Sequence, residues 1–396
     1  MGTSFAVKVD YLAILWYIVH MISLWEKNSF IQYDFIVIGG GIVGLSTAIS
    51  LKERHKKATV LVLERGMFPS GASTKNAGFA CFGSPGELLA DIDTIGEDAT
   101  LQLVQQRWEG LQLLRNRLGD KTIDFQMHGG YSLLKQEEMD QLNRLDTLNE
   151  TLYPLFEEMV FSSREEQITS FGFPASTIKG LIYNPLEGQL DTGKMMKSLQ
   201  LFASQAGVEI LTGAEVSRLE EDEEMTRVFV ESKYNTGEIC FRAGKLAICT
   251  NAFSKKLLPA LELQPGRGLV MVTSPIPSLK FKGVFHYEEG YFYFRNFGNS
   301  VIFGGGRNHD LQTEESTDFD INKKILNLLM QQLEEIILPG QDFVVDQVWT
   351  GIMAFGPNKL PICRKHSDRI GVGIRLGGMG IAIGSQMGLQ LAELLD

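Results

Sequence analysis

Residues 33–44 read YDFIVIGGGIVG, and this stretch decides the fold of the amino-terminal part of the chain. Tyr33 to Ile38 is a short β-branched and aromatic run that predicts a buried strand. Glycines follow at once, and a helical pattern then runs from Ile42 to Glu53. Thr59 to Leu63 (TVLVL) predicts a second buried strand, so the segment is typical of a βαβ unit in a covered parallel sheet.

The glycines between the first strand and the helix fit the pattern GxGxxG. Gly39 permits the tight turn, Gly41 lets the backbone approach a pyrophosphate, and Gly44 allows close packing of the helix. Ile42 and Val43 begin the helix, where free N–H groups and the positive end of the helix dipole attract phosphates. The stretch therefore predicts a dinucleotide-binding site.

Two further features indicate which dinucleotide is bound. Glu64 ends the second strand twenty residues beyond Gly44, a position that suits an acid accepting hydrogen bonds from the adenosine ribose. Far downstream, a second glycine cluster opens a helix whose N–H groups could bind a flavin carbonyl, the alternative being a glycine-rich turn without ligand. This cluster and helix start comprise Gly378, Met379, Gly380 and Ile381.

The chain is long enough to predict two interleaved domains, because 396 residues exceed the usual size of a single core. The fold class is α/β, with a Rossmann-like domain and an α+β substrate domain built on an antiparallel sheet. We expect residues 1–30 to form an extension. The dinucleotide domain is predicted from residues 31–90, 188–264 and 346–396, and the substrate domain from residues 91–187 and 265–345.

Composition excludes several classes of partner. A formal net charge of −11 opposes binding to nucleic acid. The four cysteines form no CxxC pair and the six histidines show no ligand spacing, so we expect neither a metal site nor a disulfide framework, and a cytoplasmic setting.

An apolar stretch at residues 11–25 (YLAILWYIVHMISLW) leaves three interpretations open. It is short for a membrane span, which needs ~20 apolar residues. A membrane-associating helix would place the protein at the periphery of the inner membrane, and a signal peptide is a second interpretation. In the third, translation begins at Met21, and the first 20 residues are not part of the protein.

A loop rich in small residues follows the second strand. Residues 64–66 read ERG and residues 71–78 read GASTKNAG, while residues 249–252 read CTNA after a third buried strand. With these motifs in order, the sequence resembles the D-amino acid oxidase, glycine oxidase and sarcosine oxidase superfamily of flavoproteins from Tyr33 to Leu395.

The resemblance implies FAD as the cofactor and assigns roles around it. Hydroxyls in the small-residue loop would donate to phosphate, and the end of that loop would border the flavin ring. The residues implied are Arg65, Ser73, Thr74, Asn76, Ala77, Gly78, Val216, Thr250 and Asn251.

The substrate site is predicted from two segments. Residues 291–295 (YFYFR) resemble the strand that points a tyrosine over the flavin, and alternation places Tyr291, Tyr293 and Arg295 on one face. The alternative is a cross-strand aromatic cluster with a solvated arginine. Relatives carry an arginine that binds the substrate carboxylate at the position of Met353, which cannot supply such donors.

Tyr291, Arg295 and Met353 are therefore the predicted catalytic-site residues, with Arg295, Arg307 or Lys75 as replacement partners for a carboxylate. The resemblance implies oxidation of a C–N bond in an amino acid or secondary amine, with hydride transfer to flavin N5 and oxygen or a quinone as the final acceptor. Two alternatives are an FAD-dependent 2-hydroxy acid dehydrogenase and a non-catalytic flavin-binding accessory protein.

Overall fold

The computed structural model describes residues 23–232 and 237–396. Residues 1–22, which hold most of the apolar stretch at 11–25 and the alternative start, lie outside the described residues. A short helix, α1 (Leu24–Ser29), precedes the first strand and begins with a capping box between Ser23 and Glu26. Within the described part of the chain, no helix combines the length and apolar character needed to cross a bilayer.

Helices and strands alternate along the described chain. The strands are β1 (Gln32–Ile38), β2 (Val60–Glu64), β3 (Phe79–Ala80), β4 (Gly130–Leu134), β5 (Ser162–Ser163), β6 (Gly180–Asn184), β7 (Gly188–Gln189), β8 (Val208–Thr212), β9 (Val216–Glu221), β10 (Thr226–Ser232), β11 (Gly237–Ile248), β12 (Gln264–Thr273), β13 (Val284–Tyr287), β14 (Phe292–Phe297), β15 (Ser300–Gly305), β16 (Val345–Phe355), β17 (Ile362–Lys365) and β18 (Ile370–Ile374). The other α-helices are α2 (Ile42–Arg54), α3 (Ala72–Lys75), α4 (Pro85–Ile95), α5 (Glu97–Leu118), α6 (Asp140–Asn143), α7 (Leu145–Phe156), α8 (Thr192–Gln205), α9 (Leu311–Glu314), α10 (Lys323–Gln332) and α11 (Gly380–Leu394).

The first sheet has the order β17-β18-β11-β1-β2-β8, and its five central strands from β18 to β8 are parallel. This arrangement confirms the predicted Rossmann-like fold. Strand β11 is continuous through Gly244. Its second half pairs with β1 from Arg242 to Ile248, and its first half pairs with β10 from Gly237 to Ala243.

The first and last helices of this unit pack at unusually short range. A Cβ at Gly384 of α11 would lie 2.7 Å from Ile42 Cγ2, and one at Gly388 would lie 2.5 Å from Ser46 Cβ. Because both glycines lack that atom, the backbone of α11 can lie against α2. The carboxyl-terminal helix therefore completes the layer that covers the parallel sheet.

The second sheet has the order β16-β12-β15-β14-β13-β4-β6-β5. It is antiparallel except between β13 and β4, which are parallel. One face is covered by an aromatic core that includes Phe285, Phe294 and Phe303. Residues 346–355, predicted in the dinucleotide domain, instead form β16 of this sheet, because β16 pairs with β12 from Val345 to Phe355.

A buried ion pair ties α9 to β12. Arg267 Nε and Nη2 each donate to the Glu314 carboxylate at 3.0 Å, and Asn322 Nδ2 donates to the same carboxylate at 2.7 Å. Arg267 is 5% exposed and Glu314 is 1% exposed. The attraction between the two charges therefore offsets the free-energy cost of removing each of them from water.

We expect Glu314→Gln to lower the free energy of unfolding by ~3–5 kcal/mol, because it leaves the buried Arg267 guanidinium without an anion. Asp93→Asn is the matched control, since Asp93 pairs with Arg144 at the surface, where both side chains are well exposed. Thermal unfolding should show a clear loss for the first variant and none for the second. Equal Tm values for Glu314→Gln and the unmodified protein would contradict the assignment.

Candidate active site

A long cavity runs from the carboxyl ends of β1 and β2 to one face of the second sheet. Its first part is built from the glycine turn, the end of β2 and the loop around α3. Its far part is closed by alternate residues of β12, β13, β14 and β16. The two sheets therefore contribute opposite ends of one site.

The glycine turn brings the start of α2 into the cavity. Gly39 has φ of +108°, a conformation that favours glycine, and a Cβ there would lie 2.7 Å from the Cys249 carbonyl oxygen. Ser73 Oγ accepts a hydrogen bond from the Ile42 amide at 3.0 Å, so the hydroxyl hydrogen of Ser73 stays available for an anion in the cavity. A Cβ at Gly41 would lie 2.8 Å from the same Ser73 Oγ.

Glu64 ends β2 and lines the first part of the cavity. Its carboxylate accepts from the Gly40 amide and from the Gly66 amide, both at 2.9 Å, although the residue is only 6% exposed. Both oxygens keep a further lone pair, because each has accepted one hydrogen bond from the protein. The two amides thus fix the orientation of the carboxylate, and its predicted contact with a ribose stays a prediction.

Most of the predicted cofactor residues meet in this one cavity. Its lining includes Gly39, Gly41, Ile42, Val43, Glu64, Arg65, Ser73, Asn76, Ala77, Val216, Thr250, Asn251, Gly378, Met379, Gly380 and Ile381. A Cβ at Gly377 or Gly378 would meet no atom within 4 Å, so space is open before the start of α11. The contact of each of these residues with the cofactor stays a prediction.

Three predicted cofactor residues do not line the cavity. A Cβ at Gly44 would collide with the Gly39 carbonyl oxygen, so this glycine serves helix packing as predicted. Thr74 Oγ1 donates to the Pro69 carbonyl at 2.8 Å, which removes it as a phosphate donor in this structure. Gly78 has φ of +78° and lies against Arg295 and the Leu190 carbonyl.

The substrate end of the cavity is walled by the second sheet. Gly268 and Val270 of β12, Tyr293 of β14 and Met353 of β16 face it in the alternation that strands impose. Met353 Cε lies close to Gly268, where a Cβ would be 2.8 Å from it. Met353, the residue expected at the position of the relatives' arginine, therefore lies in the cavity wall.

The tyrosine that lines the cavity is Tyr293, two residues after the predicted Tyr291. Tyr291 precedes β14 in the hairpin turn, is 37% exposed and does not line the cavity. Tyr293 lines it instead, and burial raises the pKa of Tyr293 to about 12, so the phenol stays protonated at neutral pH. The Tyr291 carbonyl still accepts from the Gly306 amide at 2.9 Å, but its side chain lies in the turn and outside the cavity lining.

Arg295 is not available to a substrate. It is 4% exposed, and its guanidinium donates to the carbonyl oxygens of Ala77, Asn296 and Leu190. Burial lowers the pKa of Arg295 to about 10, against the opposing charge of Asp191, so it remains a cation at neutral pH. It holds the loop at Ala77 against the second sheet, and a solvated arginine is equally wrong.

Several cavity residues were not predicted from the sequence, and three of them carry chemistry or contact those that do. Phe79, Glu87 and His286 line the substrate end together with Tyr293. The Phe79 ring packs edge-on against His286 at 5.1 Å and against Tyr293 at 5.6 Å, measured between ring centroids. Glu87 showed only a helix-capping pattern in the sequence, and nothing marked His286.

The cavity thus belongs to a dinucleotide-dependent oxidoreductase whose second sheet encloses a small-molecule site. Residues 34–394 match the family model of the FAD dependent oxidoreductases (DAO), and the chain belongs to this family. FAD is therefore its cofactor. The flavin supplies the redox chemistry, and the residues that would hold it are those of the glycine turn, Glu64, the loop at Ser73 and the start of α11.

Several characterised proteins are similar to the chain. It is 24% identical over 383 residues to glycine oxidase from Geobacillus kaustophilus, covering 92% of this chain and 93% of that protein. It is 27% identical over 246 residues to L-2-hydroxyglutarate dehydrogenase of Escherichia coli K12, covering 59% and 51%. The chain spans about half the length of several curated relatives.

The solved structure of L-proline dehydrogenase from P. horikoshii has the same fold. Its TM-score is 0.74 at 18% identity, with 92% of this chain and 93% of that chain covered. At this identity the likeness supports the fold alone.

We expect Gly41→Val to abolish retention of FAD, because the new side chain must displace Ser73 and break its hydrogen bond with the Ile42 amide. The measurement is the ratio of visible flavin absorbance to protein absorbance after purification. Gly193→Ala, at an exposed site near the start of α8, is the control and should retain the flavin. Full flavin content in Gly41→Val would refute the cradle.

Proposed function

We propose that the protein oxidises a C–N bond of an amino acid or a secondary amine, with transfer of the hydride to flavin N5. The observation that carries the proposal is the pair of opposite charges at the substrate end of the cavity, Lys75 and Glu87. A cation and an anion facing one cavity complement the carboxylate and the ammonium group of an amino acid.

Lys75 is the cation that can meet the carboxylate. Of the three basic residues considered from the sequence, it is the one that lines the cavity. Arg295 is bound to backbone carbonyls and does not line the cavity. The Arg307 guanidinium lies over the Phe355 ring at 4.0 Å and the Lys75 ammonium lies over the Phe319 ring at 5.1 Å, so the position of Lys75 in the cavity lining is what distinguishes it from Arg307. A lysine binds a carboxylate as a point charge rather than as a planar fork, so this contact is less directional than in relatives with an arginine.

Glu87 is the anion that can meet the amine. Burial acts to raise the pKa of Glu87, but the charges of Lys359 and Arg107 and the hydrogen bond from the Ser84 amide hold the pKa below its ordinary value. The carboxylate is therefore ionised at neutral pH. Its Oε2 accepts from the Ser84 amide and hydroxyl, both at 3.1 Å, which fixes its position.

The relatives support the same class of substrate. Glycine oxidase matches nearly the whole of this chain, and the solved L-proline dehydrogenase shares its fold. A 2-hydroxy acid is the second candidate, favoured by the match to L-2-hydroxyglutarate dehydrogenase over 59% of this chain. Oxygen or a quinone accepts the electrons from the cofactor in either case.

An anaerobic flavin-bleaching assay tests the proposal with glycine, D-alanine, sarcosine, L-proline, iminodiacetate and L-2-hydroxyglutarate. We expect the N-substituted amino acids to reduce the flavin at least ~10-fold faster than glycine or D-alanine, because one charge-assisted hydrogen bond is worth ~1.5–3 kcal/mol and apolar contact with Met353 can replace it. Bleaching by L-2-hydroxyglutarate alone would select the second candidate. Equal rates with D-alanine would refute the argument from Met353.

We expect Lys75→Met to raise KM for the best amino acid ~10-fold or more, with a smaller change in kcat, since the lost contact binds the carboxylate before and during the reaction. Lys56→Met is the control, because Lys56 is an exposed residue remote from this cavity. Steady-state kinetics of both variants check this prediction. An unchanged KM in Lys75→Met would remove Lys75 from the substrate site.

A further inference from the structure

A cluster of ionisable side chains adjoins the substrate end of the cavity, on the side of β13 and α4. Lys359 Nζ lies 3.0 Å from Asp91 Oδ1 and 4.0 Å from Glu87 Oε1, and Arg107 Nη2 lies 3.9 Å from Asp91 Oδ2. We call this group the carboxylate cluster. Its members are Glu87, Asp91, Arg107, Glu187, His286 and Lys359.

The carboxylate cluster has one negative charge more than its permanent cations can balance. Three carboxylates, at Glu87, Asp91 and Glu187, face two cations, at Arg107 and Lys359. Isolated charge is costly in a buried site, so the cluster favours the uptake of one further positive charge. The side chains that can take it as a proton are Glu187 and His286.

His286 stands between the cavity and Glu187. It lies directly opposite Tyr293 in the β13–β14 hairpin, and both side chains line the cavity. Its Nε2 is inaccessible, has no hydrogen-bond partner and lies 3.9 Å from Glu187 Oε2. One part of the ring therefore borders the cavity while Nε2 is turned towards the carboxylate.

The position of Glu187 is built into the surrounding fold. The Phe82 amide donates to Glu187 Oε1 at 3.3 Å, and a Cβ at Gly130 would collide with Glu187 Oε2. Glu187 is 2% exposed. The buried thiol of Cys81 and the charges of Glu87 and Arg107 also face this region.

We propose that His286 is a catalytic residue that accepts a proton from the substrate nitrogen, and that Glu187 is a positioning residue that stabilises the resulting imidazolium. The inference rests on the proposed function. An incoming ammonium loses one N–H proton to Nδ1 of the imidazole, while the inaccessible Nε2 carries the proton of the neutral ring and is turned towards Glu187. The neutral amine would then have the free electron pair that forms the carbon–nitrogen double bond of the iminium product, and bound FAD would supply the acceptor for the α-hydrogen and its electron pair.

The two ionisations give the rate a defined dependence on pH. Burial lowers the pKa of His286, against the opposing effect of Glu87, so the ring is neutral and able to accept a proton at neutral pH. Burial, followed by the charge of Glu87, raises the pKa of Glu187 to about 8. The ionised carboxylate that stabilises the imidazolium therefore appears as pH rises through that value, and the rate of flavin reduction should rise with it.

The experiment measures anaerobic flavin reduction across pH by stopped flow, with whichever of sarcosine, L-proline or iminodiacetate reduces the unmodified holoenzyme fastest. We expect His286→Gln to be ~100-fold slower near neutral pH, with the deficit closing near pH ~10, where the alkyl ammonium ionises unaided. The control His366→Gln, at an exposed turn, should match the unmodified enzyme at every pH. A deficit of equal size at all pH values, or no deficit, would overturn the proposal.

Glu187→Gln gives an independent decision, including the case in which His286→Gln does not fold. The rise in rate near the pKa of Glu187 should disappear, because the amide cannot ionise. Histidine-selective ¹³C NMR should also show a neutral His286 ring at neutral pH, identified by its loss in His286→Gln or by its shift in Glu187→Gln. A protonated ring there would overturn the inference. Failure of the proposed function is distinguishable, since none of the three amines would then reduce the unmodified holoenzyme.

Discussion

The contact between Gly44 and the carbonyl of Gly39 is the constraint on which the rest of the structure depends. Any Cβ at Gly44 would overlap that carbonyl oxygen, so α2 can begin directly over the end of β1 only with glycine there. This close start places Ile42, whose amide donates to Ser73 Oγ, at the wall of the cavity. Helix α11 packs against the start of the same helix through Gly384 and Gly388.

The second sheet depends on this frame through a buried cation. Arg295 has carbonyl oxygens as its hydrogen-bond partners, at Ala77, Asn296 and Leu190, rather than a carboxylate. Carbonyl dipoles solvate a guanidinium without placing an anion beside the substrate. These hydrogen bonds join the loop at Ala77 to β14. Arg295, which the sequence suggested as a partner for the substrate carboxylate, therefore connects two parts of the cavity wall.

The charges left facing the cavity decide what the site can bind. In the function that we propose, Lys75 attracts a carboxylate and Glu87 attracts an amine, since both residues line the cavity beside Met353. Behind them, the carboxylate cluster provides a place for a proton. Substrate binding and proton acceptance are thus carried by neighbouring residues, as expected where burial and like charges meet in one cavity.

The sequence by itself determined the Rossmann-like unit and most of the predicted cofactor residues that line the cavity, because these follow from local rules. A strand pattern, three glycines and an acid at a fixed spacing predict one βαβ unit, and the structure has this unit from Tyr33 to Glu64. The substrate end was determined only in part. Met353 lines the cavity, whereas Tyr291 lies in a hairpin turn outside the lining and Arg295 is bound to backbone carbonyls.

Only the tertiary structure decided that Glu87, Glu187 and His286 belong to one region. They come from α4, from the turn before β7 and from β13, and no periodicity links positions so far apart in the chain. Their chemistry arises from burial and from mutual electrostatic interaction, which exist only after the sheets have packed. The nucleotide cradle is encoded by neighbours along the chain, whereas the proton-accepting site is created by neighbours in space.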